Sequence, residues 1–293
     1  MKRPVEQAIT GFAWLSMAML LFAVFSVIGY LFLKGYPSLD TRLIFGDTAV
    51  LDALLLRKQV FNGLFPAAAG TLVLVVMSVV WAIPVGIATG IYLAEYASAR
   101  VKGVLNLFFD ILAGIPSIVI GLFGFALAVF LHKNFSRAIQ PCLLISSIAL
   151  AFLVLPYLIR TTQMALEGLP EDTRLGALAL GATKLQNIFY VLLPRSLSGI
   201  MSGVILAIGR CAEDTAVIML TGVVATAGIP KSLFSGYEAL PFYIYYISSQ
   251  YTSPEELLTG YGASIILLAI CIVLFSAAFL IKKRLTYIAF YRS

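Results

Sequence analysis

Six stretches of the chain stay apolar long enough to cross a bilayer as helices, which takes about 20 residues. They fall near residues 9–33, 67–93, 104–131, 139–159, 196–222 and 260–281. Residues 34–66 between the first two are mixed, with Asp40, Arg42, Asp47, Asp52, Arg57 and Lys58, and a short interfacial helix is expected at 52–56. Residues 95–103 read as a tight basic turn carrying Arg100 and Lys102, and residues 160–195 as a long polar loop. Residues 223–259 do not span; they hold Pro230, Pro241, Pro254 and many tyrosines. Pro84 predicts a kink in the second span. The first apolar run, about 25 residues, exceeds the 7–15 of a signal-peptide core and reads as a retained span. The pattern divides the chain into a first helix with its outer segment (1–66), a transmembrane core (67–281) and a tail (282–293) that starts KKR.

Composition agrees with that pattern. Of 293 residues, 61% are hydrophobic and 12% charged, and the mean hydropathy is +0.99. Soluble chains carry about 25% charged residues. The expected class is an all-α polytopic membrane protein with six transmembrane helices, because a helix satisfies its own backbone inside lipid. A net charge of +6 would suggest nucleic acid in a soluble chain, but no basic-aromatic groove accompanies it, and in a membrane chain it reflects topology.

Six spans put both termini on one side. With the termini inside, twelve basic residues are internal: Lys2, Arg3, Arg100, Lys102, Arg160, Arg174, Lys184, Arg195, Lys282, Lys283, Arg284 and Arg292. Seven are external: Lys34, Arg42, Arg57, Lys58, Lys133, Arg137 and Lys231. The excess predicts cytoplasmic termini and a cytoplasmic 160–195 loop in a chain of the inner membrane.

Cys142, Cys211 and Cys271 sit in apolar segments without paired spacing, so neither a disulfide framework nor a metal site is expected. His132 reads as a loop residue. No G-x4-G-K-[ST] phosphate loop, metal cluster or nucleophile constellation is visible, so the chain reads as no enzyme by itself, with no cofactor of its own.

The polar loop has helical texture. Glu171 and Asp172 follow Pro170, where acidic residues favour a helix N-terminus. Leu175, Leu178 and Ala179 recur at helical spacing, and Gly181 can turn or cap the helix. Residues 184–193 place Leu185, Ile188, Phe189 and Leu192 on one side, and Pro194 is expected to end that segment. A helix–glycine–helix arm at the membrane surface suits docking into a groove on another protein.

Arg210 lies about 21 Å along the fifth span at 1.5 Å per residue, too deep to snorkel easily, and a charge there is costly and usually functional. Glu213 and Asp214 follow at helical spacing, so either can pair with it. Such a pair can line a passage or only fix helix packing. Asp110, in the third span, can reach water or Arg100. Arg160 and Glu167 flank the start of the polar loop, solvated or paired there. In GIPSIVIGLFG (114–124), Pro116 breaks the helix ladder, Ser117 can help satisfy it, and Gly114, Gly121 and Gly124 permit close approach. The aromatic run at 236–251 reads as an interfacial helix or as part of a docking surface for an extracytoplasmic protein.

Three of these phrases carry a resemblance. The loop is similar to the signature loop of ATP-binding-cassette importer permeases, EAA-x3-G-x9-I-x-LP. Leu175, Gly176 and Ala177 align with its first three positions, then Gly181, Val191, Leu193 and Pro194, with the spacing kept in full. Leu175 stands where the pattern has Glu, and Val191 where it has Ile. ALALGATKLQNIFYVLLP and GIPSIVIGLFG resemble the phosphate importer permeases of the Pst type, the PstA subunit especially. GRCAEDTA resembles their A-R-x-x-G-E-T-A: Arg210, Asp214, Thr215 and Ala216 match, and Glu213 stands where the pattern has Gly.

The resemblance implies a MetI-like ABC importer permease fold and the role of a permease subunit in an ATP-driven inorganic phosphate importer. Its partners would be a second permease resembling PstC, two ATP-binding subunits resembling PstB that hold ATP and Mg, and an extracytoplasmic phosphate-binding protein resembling PstS. Arg174, Ala177, Gly181, Ala182, Leu193 and Pro194 would couple to the ATPase. Arg210, Glu213, Asp214 and Thr215 would line the substrate path. The chemistry suits phosphate: Arg offers planar donors to an oxyanion, and a carboxylate can accept the proton that phosphate keeps and sulfate lacks. The remaining readings are the same machine with another oxyanion such as molybdate, and an ion-coupled secondary transporter, which would need paired discontinuous helices in two repeats.

Overall fold

The computed structural model describes residues 2–55, 60, 63–137 and 140–291. Leu56, Arg57, Lys58, Ile139 and Arg292, which entered the reading above, lie outside the described residues. The helices are α1 (Lys2–Gly35), the short α2 (Thr41–Phe45) and α3 (Val50–Leu54), α4 (Phe65–Ile91), α5 (Ala99–Ala113), α6 (Ser117–Asn134), α7 (Leu143–Glu167), α8 (Glu171–Ala179), α9 (Lys184–Asn187), α10 (Leu193–Glu213), α11 (Ala216–Thr221), α12 (Leu240–Gln250) and α13 (Pro254–Tyr291). Among the described residues, six helices are long and apolar enough to cross a membrane, and the only β pairing is the isolated bridge Val223–Tyr237. The class is all-α with six candidate spans, as the apolar pattern predicts.

The boundaries differ in instructive ways. The third stretch is two helices. Pro116 disfavours a helical residue before it, so α5 ends at Ala113, capped by Gly114, and α6 restarts at Ser117 as the 18-residue span. The basic turn shrinks to Ala97 and Ser98, because α5 already begins at Ala99. His132 lies in the last turn of α6, not in a loop. The fourth span runs on to Glu167: nothing in residues 160–167 breaks a helix until Gly168 caps it. Arg160 pairs there with Asp110 at 3.0 Å, and Glu167 with Lys102 at 2.6 Å, so two ion pairs hold α5 to the end of α7. Asp110 thus meets Arg160 rather than Arg100, and from a helix outside the spanning set. The last span starts early, at Pro254, a residue suited to the first turn, and continues through the KKR tail to Tyr291.

Helix α7 is the axis of the bundle, with Leu150, Val154 and Leu158 fully buried. Small residues let its neighbours approach. On α4, a Cβ at Gly86 would come within 2.7 Å of Leu158, and one at Gly90 within 2.6 Å of Thr162. On α10, Gly199 faces Ala165 and Gly203 faces Thr161. Each pair of glycines is four residues apart, one stripe of a helix. Gly121 and Gly124 of α6 pack on Val217 and Thr221 of α11 as expected, whereas Gly114 meets only its own helix.

Residues 223–239 form an irregular lid over the start of α7. The first N–H groups of a helix lack internal partners. Here Leu143 N–H donates to Ser235 O at 3.1 Å and Leu144 N–H to Leu233 O at 2.9 Å. Gly222, at φ +145°, makes the turn that lets the lid cross Cys142. All three cysteines are free.

Candidate functional site

Two places concentrate the polar chemistry. The first is the arm formed by α8, α9 and the start of α10. Glu171 and Asp172 occupy the first turn of α8. Its end is a Schellman cap: Ala182 N–H donates to Ala177 O and Gly181 N–H to Leu178 O, both at 3.0 Å, around Gly181 at φ +88°. Thr183 and Gln186 then form a reciprocal capping box that starts α9. Pro194 does not end this segment. A π turn at Ile188–Leu192 widens the ladder just before it, so the ring escapes the clash an α-helix would impose. Lys184 to Glu213 is therefore one continuous rod.

The arm is anchored by an unforeseen residue. Glu95, at the end of the π turn Tyr92–Tyr96 that finishes the second span, accepts from Arg174 at 2.7 Å. Lys184 Nζ donates to the Glu95 carbonyl and lies over the Tyr96 ring, 4.5 Å from its centroid. Asn187 Nδ2 donates to Arg174 O at 2.8 Å, and Arg195 to Thr173 Oγ1 at 3.2 Å. Beneath these, Leu166, Ile188 and Leu192 form a small core with Leu193 against it. The face predicted from Leu185, Ile188, Phe189 and Leu192 is split: Ile188 and Leu192 are buried, while Leu185 and Phe189 are exposed. Leu175 and Tyr190 are exposed too, and Leu180, at the tip, is 91% exposed.

The second place is the end of α10. Arg210 Nη1 donates to Glu213 Oε1 at 2.8 Å, and Nη2 stands 3.5 Å from Asp214 Oδ2. Both acids thus face the one guanidinium. They are held differently. Asp214 is buried where α10 stops, and its Oδ1 accepts from Val217 N–H at 2.9 Å, capping α11. Glu213 is the last residue of α10, with a side chain 65% exposed. Arg210 Nε is buried with no partner among the described residues. Thr215 stands at the break between the two helices. The fifth span is therefore discontinuous, and its second piece packs on α6, the second piece of the broken third stretch. Ser198, Leu206 and Glu213 are exposed along one face of α10, and between them Ser202 Oγ accepts from Lys282 Nζ at 3.1 Å.

A third feature lies in the lid. Glu238 Oε1 accepts from Ala227 N–H at 2.9 Å and Gly228 N–H at 2.7 Å. Burial pushes its carboxyl above the ordinary range, against the pull of those two bonds. It lines a cleft of about 840 Å³ with Arg42, Thr226, Tyr243 and Glu255. The aromatic run forms α12, laid against α4 and α13, with Leu240 N–H donating to Thr71 Oγ1 at 2.9 Å.

Residues 86–287 match the family model of the binding-protein-dependent transport system inner membrane component. The phosphate transport system permease protein PstA 1 of Mycobacterium tuberculosis is 33% identical over 231 residues, 78% of this chain and 73% of that protein. The PstA permease proteins of Yersinia pestis and Haemophilus influenzae are 37% identical over 71% of this chain and 68% of theirs, and 30% identical over 94% and 93%. In three dimensions the chain matches one from the inward-facing MetNI methionine ABC transporter with a TM-score of 0.52 and 19% identity, covering 83% of this chain and 99% of that one. Sequence, fold and relatives agree: this chain belongs to the family of binding-protein-dependent transport system inner membrane components, alongside the PstA permease proteins.

Proposed function

We propose that the chain is one of two permease subunits of an ATP-driven importer of inorganic phosphate. The observation that carries this reading is the open face of α10. Arg210 and Glu213 are only partly covered there, about 24 Å beyond Pro194 at 1.5 Å per residue, and lipid covers a charge at great cost. A second permease closes that face and encloses a passage. The similarity to permease proteins of phosphate transport systems supports phosphate as cargo. Arg210 presents planar donors to the oxyanion, and Asp214 accepts the proton that phosphate retains.

The arm is the transmission. Its exposed apolar tip, Leu175, Leu180, Leu185 and Tyr190, docks on one of two separate ATPase subunits that hold ATP and Mg. The continuous rod from Lys184 to Glu213 then links the docked end directly to the Arg210 site. ATP closes the ATPase pair, the arm moves the rod, and the spans open outward; hydrolysis resets them. Both termini lie in the cytoplasm, following the basic excess. The lid and α12 face an extracytoplasmic phosphate-binding protein.

Complementation tests the reading. In cells lacking their own phosphate permeases, this chain with its partners restores phosphate uptake, while Arg210→Gln assembles and leaves uptake at background. Molybdate uptake restored without phosphate uptake would reassign the cargo. Full uptake by Arg210→Gln would remove the site from the passage.

A further inference from the structure

We propose that Glu213 is an internal stand-in for the transported anion. Its carboxylate occupies Arg210 when no cargo is present, and the cargo must displace it. The inference rests on the reading that Arg210 contacts the anion.

The two acids beside Arg210 are not equivalent. Asp214 is fixed: it is buried, and one of its oxygens is committed to Val217 N–H as the cap of α11. It cannot leave without uncapping that helix. Glu213 has no such tie. Its described bond is to Arg210 Nη1, at 2.8 Å, and most of its side chain is open. It is the exchangeable partner.

The guanidinium also has capacity to spare. Nη1 serves Glu213, Nη2 is 3.5 Å from Asp214, and Nε is buried without a partner. Buried donors without acceptors are rare in folded proteins. An oxyanion in place of Glu213 can bridge Nη1 and a neighbouring nitrogen, a bidentate geometry favoured by arginine. With Glu213 present, Arg210 faces two negative charges, and an anion approaching an unmoved pair meets net repulsion. Exchange resolves the conflict: one anionic partner replaces another at Nη1, so Arg210 faces no added negative charge on loading, and the empty passage offers no free cation to stray anions. The consequence is weaker apparent affinity, because cargo binds only the fraction of molecules in which the pair is open.

Equilibrium binding of radiolabelled inorganic phosphate to the assembled complex in lipid nanodiscs, without binding protein, tests this. Glu213→Gln and Glu213→Ala should each bind phosphate about three- to tenfold tighter than the unaltered complex. Glu213→Asp, which keeps the charge on a shorter side chain, should bind less tightly than the two neutral variants, and Arg210→Gln should not bind. Co-purification of the partner subunits reports assembly of each variant. Unchanged or weaker binding in both neutral Glu213 variants, with Arg210→Gln silent, overturns the stand-in and leaves the passage reading intact. Binding retained by Arg210→Gln overturns both. Absence of saturable binding in every variant also overturns the stand-in, since the neutral variants expose the guanidinium.

Discussion

Asp214 has two duties, and substitution can separate them. It caps α11 through Val217 N–H and faces Arg210 with its other oxygen. Asp214→Ala loses both and should lower the stability of the purified complex by about 1 kcal/mol, the usual worth of such a cap. Asp214→Asn keeps the acceptor and should cost a few tenths at most, while still losing the charge. Thermal unfolding of the two variants checks this, with equal destabilisation as the contrary result. The Arg210 cluster was legible because its members are three and four residues apart, and helical spacing alone brings them together. The cap was not legible, since a continuous span was expected through residues 196–222 and only a break at Asp214 gives that side chain free N–H groups to bind. Glu95 was missed for a different reason: Arg174 is 79 positions away, and no local pattern announces a pair that distant.

At the scale of elements, the arm owes its shape to two backbone devices. One is Gly181 at φ +88°, where an added Cβ meets no neighbour within 4 Å. Space is therefore not the constraint; conformation is. A β-branched residue there costs about 1–2 kcal/mol, whereas Asn tolerates that region. Gly181→Val should reduce co-purification of the ATPase subunit, and Gly181→Asn should largely spare it; equal loss in both would show that the cap is not what matters. The glycine was readable as a cap from its place after an amphipathic run. The second device is the π turn at Ile188–Leu192. Proline usually stops a helix, so Pro194 was read as an end. A wider turn just before it let the helix continue, and hydrophobic periodicity carries no sign of that. At Pro116, with a glycine two residues earlier, the chain does stop and restart, although the apolar run 104–131 reads as one span.

At the scale of the molecule, the six spans, the α-helical class and the central polar cluster followed from hydropathy and charge. Which faces stay uncovered did not, because exposure depends on how helices cross. Helix α1 is exposed along nearly its whole length, and α10 presents charge on an open stripe. An apolar face such as that of α1 is at home in lipid, whereas the charged stripe of α10 is costly there and fits the proposed second permease. The orientation proposed from the basic excess, with cytoplasmic termini, is open to test. In a variant cleared of native cysteines, Lys231→Cys should react with an impermeant maleimide in intact cells, and Leu180→Cys only after permeabilisation; the reverse pattern would invert the topology. In the proposed mechanism a rigid arm brings work from separate ATPase subunits to an arginine-centred passage. Proteoliposomes holding the complete complex, with binding protein and phosphate outside and the ATPase face inside, measure that directly. Phosphate should accumulate against its gradient only when ATP is enclosed, and Arg210→Gln should accumulate none; uphill uptake without nucleotide would contradict the account.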